Sequence, residues 1–132
     1  HWQSRGLGDV YKRQTKYNSN EICHEFKKPL FIGSANGYIG QAIFIPNTVS
    51  GPCYECLFPR SSYLPEETCN ESGIAPYVLS YVASILTMLI TNFVISGLST
   101  PIKLYRIDAK KMELSSSTLH SDTSCIICGA DD

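Results

Sequence analysis

Gly51-Pro52-Cys53-Tyr54-Glu55-Cys56-Leu57-Phe58-Pro59 and, near the other end of the chain, Cys125-Ile126-Ile127-Cys128-Gly129 are the two stretches that decide how this sequence is organised. Each holds a C-x-x-C pair followed by residues that suit a tight turn. Two such pairs supply four thiolates on short spacers, the geometry a tetrahedral zinc site requires. A compact zinc ribbon places its knuckles roughly 15 to 20 residues apart. Here a long apolar segment separates them, so a metal held by Cys53, Cys56, Cys125 and Cys128 would staple the C-terminal tail onto a larger fold. That role is structural. The rival reading is a redox-active or structural disulfide. A redox C-x-x-C usually opens a helix after a strand, whereas Cys53 follows Gly51-Pro52 in what reads as a loop, which favours zinc.

Outward from the first pair, Tyr38 to Ile45 is rich in β-branched and aromatic residues and reads as a strand, as does the apolar run Leu30 to Ala35. Asn36-Gly37 between them is a hairpin signal. Gly33, Gly37 and Gly40 together also suggest backbone that passes close to something, with turn geometry as the alternative. Before these strands, Ile22, Cys23 and Phe26 recur at helical spacing within Asn20 to Lys28, which predicts the last turns of an amphipathic helix ended by Pro29. On this reading Cys23 is a small core residue, and His24 and His120 are solvated.

After the first pair, residues 57–68 are rich in Pro, Ser and Glu with little periodicity and read as an exposed loop. Ala75 to Leu98 contains no charged residue. About 20 apolar residues suffice to cross a bilayer, so a membrane span is one reading. Ser80, Ser84, Thr87 and Thr91 line one narrow stripe, however, and small residues there would let the helix lie close to a sheet or another helix, with burial nearly all round. A core or interface helix is the better reading. Gly97, Ser99 and Pro101 stop it. Ile102 to Ile107 reads as a strand, Asp108 to Lys111 as a turn, and Met112 to Leu119 as a second strand with weaker alternation. The order is that of a mixed α/β protein.

The chain has 132 residues, 43% of them hydrophobic, enough for one core. Residues 1–14 resemble the translation of a sequencing-library adaptor and are set aside as a non-native segment. Arg5, Lys12 and Arg13 against Asp9 give that segment a net +2, so the formal charge of −1 for the whole chain becomes −3 for residues 15–132. Such mild acidity leaves no basic patch for nucleic acid.

The stretch Gly51 to Pro59, with Thr68-Cys69-Asn70-Glu71-Ser72-Gly73-Ile74 and the terminal Cys125 to Gly129, resembles the ThiF/MoeB/HesA family of ubiquitin-activating-enzyme-like adenylyltransferases. Upstream, Thr15-Lys16-Tyr17-Asn18-Ser19-Asn20, Cys23 and Lys28-Pro29-Leu30 are similar to the family segment that follows its magnesium-binding aspartate. Gly40-Gln41 matches a recurrent Gly-Gln. Lys16 stands where the family usually has arginine.

The resemblance covers Thr15 to the end. It implies the C-terminal portion of a Rossmann-like, mixed and largely parallel sheet flanked by helices, with a four-cysteine zinc-stapled tail. It further implies a cytoplasmic homodimer that uses ATP and magnesium to adenylylate the C-terminal glycine of a small sulfur-carrier or ubiquitin-like protein. The nucleotide-binding half would lie before Thr15, so the chain alone is expected to be inactive. Cys69 matches a family position at which a cysteine can accept the activated acyl group. The alternative for Cys69 is an exposed cysteine in a loop that only covers the substrate tail. The alternative for the whole chain is a non-catalytic, zinc-stabilised protein-interaction module.

Overall fold

The computed structural model describes residues 5–47, 51–60, 73–97 and 101–129, with side chains from residue 13 onward in the first helix. The chain divides into two compact units: His1–Leu30 with Asn47–Glu71 and His120–Asp132, and Phe31–Pro46 with Ser72–Leu119.

The second unit is a four-stranded sheet with one long helix. Strands β1 (Leu30–Asn36), β2 (Ile39–Ile45), β3 (Lys103–Asp108) and β4 (Glu113–Thr118) lie side by side in chain order. Only Gly37 and Tyr38 separate β1 from β2, too few residues for anything but an antiparallel hairpin. Gly37 takes the left-handed conformation the turn needs, at φ 62°. β2 pairs antiparallel with β3, Gly40 opposite Ile107 and Ala42 opposite Tyr105, and β3 pairs antiparallel with β4. The mixed α/β class expected from the sequence is therefore what is observed, and the described strands supply antiparallel pairs. The turn into β4 is built on Asp108, whose Oδ1 accepts the N–H groups of Lys110 and Lys111 at 3.1 and 3.2 Å. β4 is exposed along its whole length, as its run of serines suggests.

Helix α3 (Pro76–Ser96) begins with Pro at its first position and ends at Gly97, whose φ of 59° allows its N–H to reach the Phe93 carbonyl at 2.9 Å. Val78, Val82 and Ile85 form its buried face and pack with Ala42 and Ile107 of the sheet. Each such side chain taken from water contributes about 1.5–3 kcal/mol. Farther along, Phe44 stacks on Phe31 at 4.4 Å and meets Phe93 edge-on at 5.0 Å.

Two expectations about this helix need correction. It is long and apolar enough to cross a membrane by length and composition, yet it is not buried all round, because the single sheet covers only one face. Leu79, Met88, Ile90, Val94 and Ile95 are exposed. Nor does the Ser80, Ser84, Thr87, Thr91 stripe make the close approach, since all four are exposed. The sheet makes it instead. A Cβ on Gly40 would lie 2.6 Å from Val82 Cγ2 and 2.9 Å from Val78 Cγ1, and one on Gly33 would lie 2.7 Å from Leu86 Cδ1. The glycines are spaces for the helix's branched side chains. Valine cannot swing away without leaving its χ1 well, so Gly40→Ala is expected to cost about 2 kcal/mol through overpacking, measurable as a lower denaturant midpoint.

The first unit is built on helix α1 (Arg5–Glu25), which runs back through part of the segment set aside from the sequence reading. It ends in a left-handed turn at Lys27, φ 55°, with the Lys28 N–H bonded to the Cys23 carbonyl at 2.9 Å, just before Pro29. The apolar face expected at Ile22 and Phe26 is not the buried one. Those residues are 56% and 62% exposed, while Tyr17 and Asn20 are buried. Cys23 is half-buried, its thiol 3.9 Å from the Pro29 carbonyl. A one-turn helix, α2 (Tyr54–Leu57), stands at the first cysteine pair, where the sequence suggests only loop.

Candidate metal centre

The four cysteines of the two C-x-x-C pairs come together in the first unit. Cys53 caps α2 in an extended conformation, and the turn is closed by the Cys56 N–H on the Cys53 carbonyl at 3.1 Å and the Phe58 N–H on the Tyr54 carbonyl at 2.9 Å. In this way both sulfurs of the pair project from one side of a single turn. The second knuckle starts at an Asp122 turn. Its Oδ1 accepts from the Ser124 N–H at 2.9 Å and hydroxyl at 2.7 Å, and its carbonyl accepts from the Cys125 N–H at 3.0 Å. The Gly129 N–H closes it on the Cys125 carbonyl at 3.0 Å.

Cys53 and Cys56 sulfurs are 4.0 Å apart, Cys53 and Cys125 3.7 Å, and Cys56 and Cys128 3.3 Å. All four Sγ atoms lie within 4.8 Å of one another. Sulfurs about 2.3 Å from a central ion form a tetrahedron with edges of about 3.8 Å. A disulfide would need about 2.05 Å, and these thiols are free. The set therefore suits a metal ion. Cys53 and Cys128 are buried and Cys56 and Cys125 half-buried, so the site is closed on its protein side.

Residues that no spacing rule singles out hold the first knuckle to α1. Tyr17 donates its hydroxyl to the Phe58 carbonyl at 2.7 Å and packs edge-on to Tyr54 with ring centroids 5.5 Å apart. Asn20 accepts the Tyr54 N–H at 3.0 Å. Glu55, 5% exposed, takes the Arg60 backbone N–H at 2.8 Å and its Nε at 2.9 Å, and Arg60 reaches on to Glu21 at 3.0 Å while lying 4.7 Å over the Tyr17 ring. The hydrogen bond to Glu55, above all, pushes the Arg60 pKa further up. The only hint of this in the sequence is the charge of Glu55 between Tyr54 and Cys56; Asn20, between Ser19 and Glu21, gives none.

Burial pushes the Cys53 thiol up to about 11 from its ordinary 9.0. Burial, helped by the neighbouring sulfurs, also raises Cys128. At Cys125 burial is outweighed by the N–H groups of Cys128 and Ile127, and its pKa falls. Cys125 therefore forms a thiolate more readily than Cys53 or Cys128. A thiolate is the ligand, so an ion must displace the protons of Cys53 and Cys128 near neutral pH. Metal uptake is expected to release about two protons or more, and apparent affinity to fall steeply with falling pH. Calorimetry in buffers of different ionisation enthalpy checks this; uptake without proton release would contradict it.

Cys69, the expected acyl acceptor, and most of the loop at residues 57–68 lie outside the described residues. Cys23 is not part of the thiol cluster. Gly33 and Gly40 face α3 side chains, which accounts for them without a substrate tail.

A four-strand sheet with one covering helix, in one chain with four thiols placed so that they could hold a metal ion, defines an α/β protein with a candidate metal centre. A model of the ThiF family matches residues 10–127, and the chain belongs to that family. It is 29% identical over 116 residues to the sulfur carrier protein ThiS adenylyltransferase of Escherichia coli K12, covering 87% of this chain and 45% of that protein. The adenylyltransferase and sulfurtransferase MOCS3 of Culex quinquefasciatus is 38% identical over 74 residues, covering 54% of this chain and 16% of that protein. Among solved structures, E. coli MccB superposes with a TM-score of 0.67 at 15% identity over 86% of this chain and 36% of MccB. The chain thus spans less than half the length of these relatives.

Proposed function

We propose that this chain is the metal-bearing part of an ATP-dependent adenylyltransferase that activates the C-terminal glycine of a sulfur-carrier or ubiquitin-like protein. The observation that carries the reading is the convergence of four cysteine sulfurs across a separation of 72 residues, in a chain whose family match runs nearly end to end. Relatives named as adenylyltransferases support the chemistry.

Zinc is the ion that best suits four thiolates in a closed tetrahedron, since it has no redox chemistry and no geometric demand of its own. Cys53, Cys56, Cys125 and Cys128 would hold it, with no open position for substrate, so its role is structural. Free thiols fit a reducing, cytoplasmic setting.

In the complete enzyme the substrate carboxylate would attack the α-phosphorus of ATP and expel pyrophosphate, and magnesium would supply charge to offset the phosphates. The acyl-adenylate then meets a sulfur nucleophile at its carbonyl carbon, and AMP departs with the bonding electrons. Cys69 is the candidate acceptor thiol for that second step. Residues that bind ATP are assigned to sequence outside this chain. A homodimer formed through the outer face of α3 would cover the exposed Leu79, Met88, Ile90, Val94 and Ile95.

The test uses ATP–pyrophosphate exchange. The product of the complete gene, given a small protein ending in diglycine, is expected to exchange label, and this chain alone is not. Exchange by the chain alone would overturn the division of labour. No exchange by the complete product with any sulfur carrier of the source organism would leave the zinc-stabilised interaction module.

A further inference from the structure

Asn20 is the most completely buried polar side chain among the described residues, at 0% exposure. It lies on α1, yet it serves the first knuckle 34 residues away, where its Oδ1 accepts the Tyr54 N–H at 3.0 Å. That bond fixes the amide's orientation, because a backbone N–H can only meet the oxygen. The Nδ2 group is then turned inward, buried and without a hydrogen-bond partner. Buried donors are almost always paired, and a protonated thiol sulfur is only a weak acceptor, so an orphan beside a thiol cluster calls for the stronger acceptor that a thiolate supplies. Cys53 is adjacent in sequence to Tyr54. The Asn20 side chain stands close enough to the Cys53 sulfur to bear on it.

We propose that Asn20 is a positioning residue of the metal centre, its Nδ2 donating to the Cys53 sulfur when that sulfur is a metal-bound thiolate, while its Oδ1 holds the knuckle backbone. Four thiolates around a divalent ion carry a net charge of −2 in a site that is half out of water. Donors aimed at the sulfurs spread that charge, and outer-shell groups of this kind tune both affinity and ligand orientation. One amide thereby ties α1 to both the turn that presents Cys53 and the charge that Cys53 carries. The inference rests on the metal reading of the four cysteines and goes beyond it in naming a residue outside both pairs.

Asn20→Asp is the sharpest test. It keeps the size and the acceptor for the Tyr54 N–H but turns an acceptor toward the thiolates. Zinc affinity, measured by competition with a chromophoric chelator, is expected to fall about 10- to 100-fold with the helical circular dichroism unchanged. With cobalt(II) in place of zinc, the thiolate-to-metal charge-transfer band is expected to move to lower energy, since loss of a donor raises the sulfur lone pair. A purely structural asparagine would lower stability and leave the band in place.

Should the aspartate variant not fold, the unsubstituted chain carries the test: the Asn20 side-chain amide protons are expected to move downfield in NMR spectra on zinc loading. Unchanged affinity with an unshifted band, or amide protons indifferent to zinc, overturns the role of Asn20 alone. Failure of the unsubstituted chain to take up any metal overturns the metal reading and this role with it.

Discussion

Cys128→Ser is expected to strip the chain of its metal and to release residues 120–129, while leaving the sheet unit folded. Cys128 is buried and its sulfur lies 3.3 Å from that of Cys56, the shortest contact in the cluster. Little else anchors the segment. Residues 120–124 are exposed, and Ile126 is 71% exposed. The Asp122–Ser124, Asp122–Cys125 and Cys125–Gly129 hydrogen bonds all close within the tail itself. A segment of this kind has almost no apolar burial to offset the roughly 1–2 kcal/mol of backbone entropy lost per ordered residue. Metal binding would supply the difference, since structural zinc contributes about 10–16 kcal/mol in small thiolate sites near neutral pH.

Serine keeps the shape of cysteine but is a poor ligand, and three thiolates do not close the tetrahedron. The expected readouts are a metal content near zero after gel filtration and rapid proteolysis within residues 120–129. The circular dichroism of the sheet should be little changed. Cys23→Ser is the matched control, because Cys23 lies outside the cluster, and it should retain the full complement of metal. A Cys128→Ser chain that holds zinc as firmly as the unsubstituted one would refute the staple.

The pairing of the cysteines was legible because metal chemistry leaves a signature that survives any fold: two ligands on one turn, twice. The strands and long helix were legible to within a residue or two for a similar reason. β2 is rich in β-branched and aromatic residues, and α3 is an uncharged run stopped at Gly97, a signal carried by backbone geometry alone.

What could not be read was how elements meet. The small-residue stripe on α3 was a plausible contact face, but the complementary glycines are on the strands, and nothing in one element's sequence says which partner provides the space. In α1 the apolar spacing of Ile22 and Phe26 pointed to the wrong face. The buried face holds Tyr17 and Asn20, whose hydroxyl and Oδ1 are matched to backbone groups 41 and 34 positions away. Hydrophobic periodicity cannot register a burial that hydrogen bonds at such range make tolerable. The same blindness hid Glu55, a carboxylate that reads as surface and is 5% exposed because Arg60 folds back on it.

Gly129→Ala is expected to weaken the centre nearly as much as loss of a ligand, although Gly129 contributes no donor to the metal. The residue follows Cys128 and closes the second knuckle through its N–H on the Cys125 carbonyl. A Cβ at this position would lie 2.5 Å from both the Cys125 and the Thr123 carbonyl oxygens and 2.8 Å from the Cys125 nitrogen. All three are backbone atoms, so no side-chain rotation can relieve the clash. The knuckle must open.

Opening it moves Cys125 and Cys128 relative to each other, and a tetrahedral site with Zn–S bonds of about 2.3 Å tolerates only a few tenths of an ångström before a ligand is lost. It also removes the N–H groups of Ile127 and Cys128 from the Cys125 sulfur, the interactions that lower its pKa, so the sulfur readiest to meet an ion becomes less so. The alanine chain is expected to bind zinc at least about 10-fold more weakly and to release it at a higher pH on acidification. Those shifts separate a distorted knuckle from a missing ligand, because all four cysteines remain: excess zinc should restore the tail's protection from protease in Gly129→Ala but not in Cys128→Ser. Equal resistance to chelation in the alanine and unsubstituted chains would mean that the second knuckle has room to rearrange and that its tight backbone turn does not set the affinity of the site.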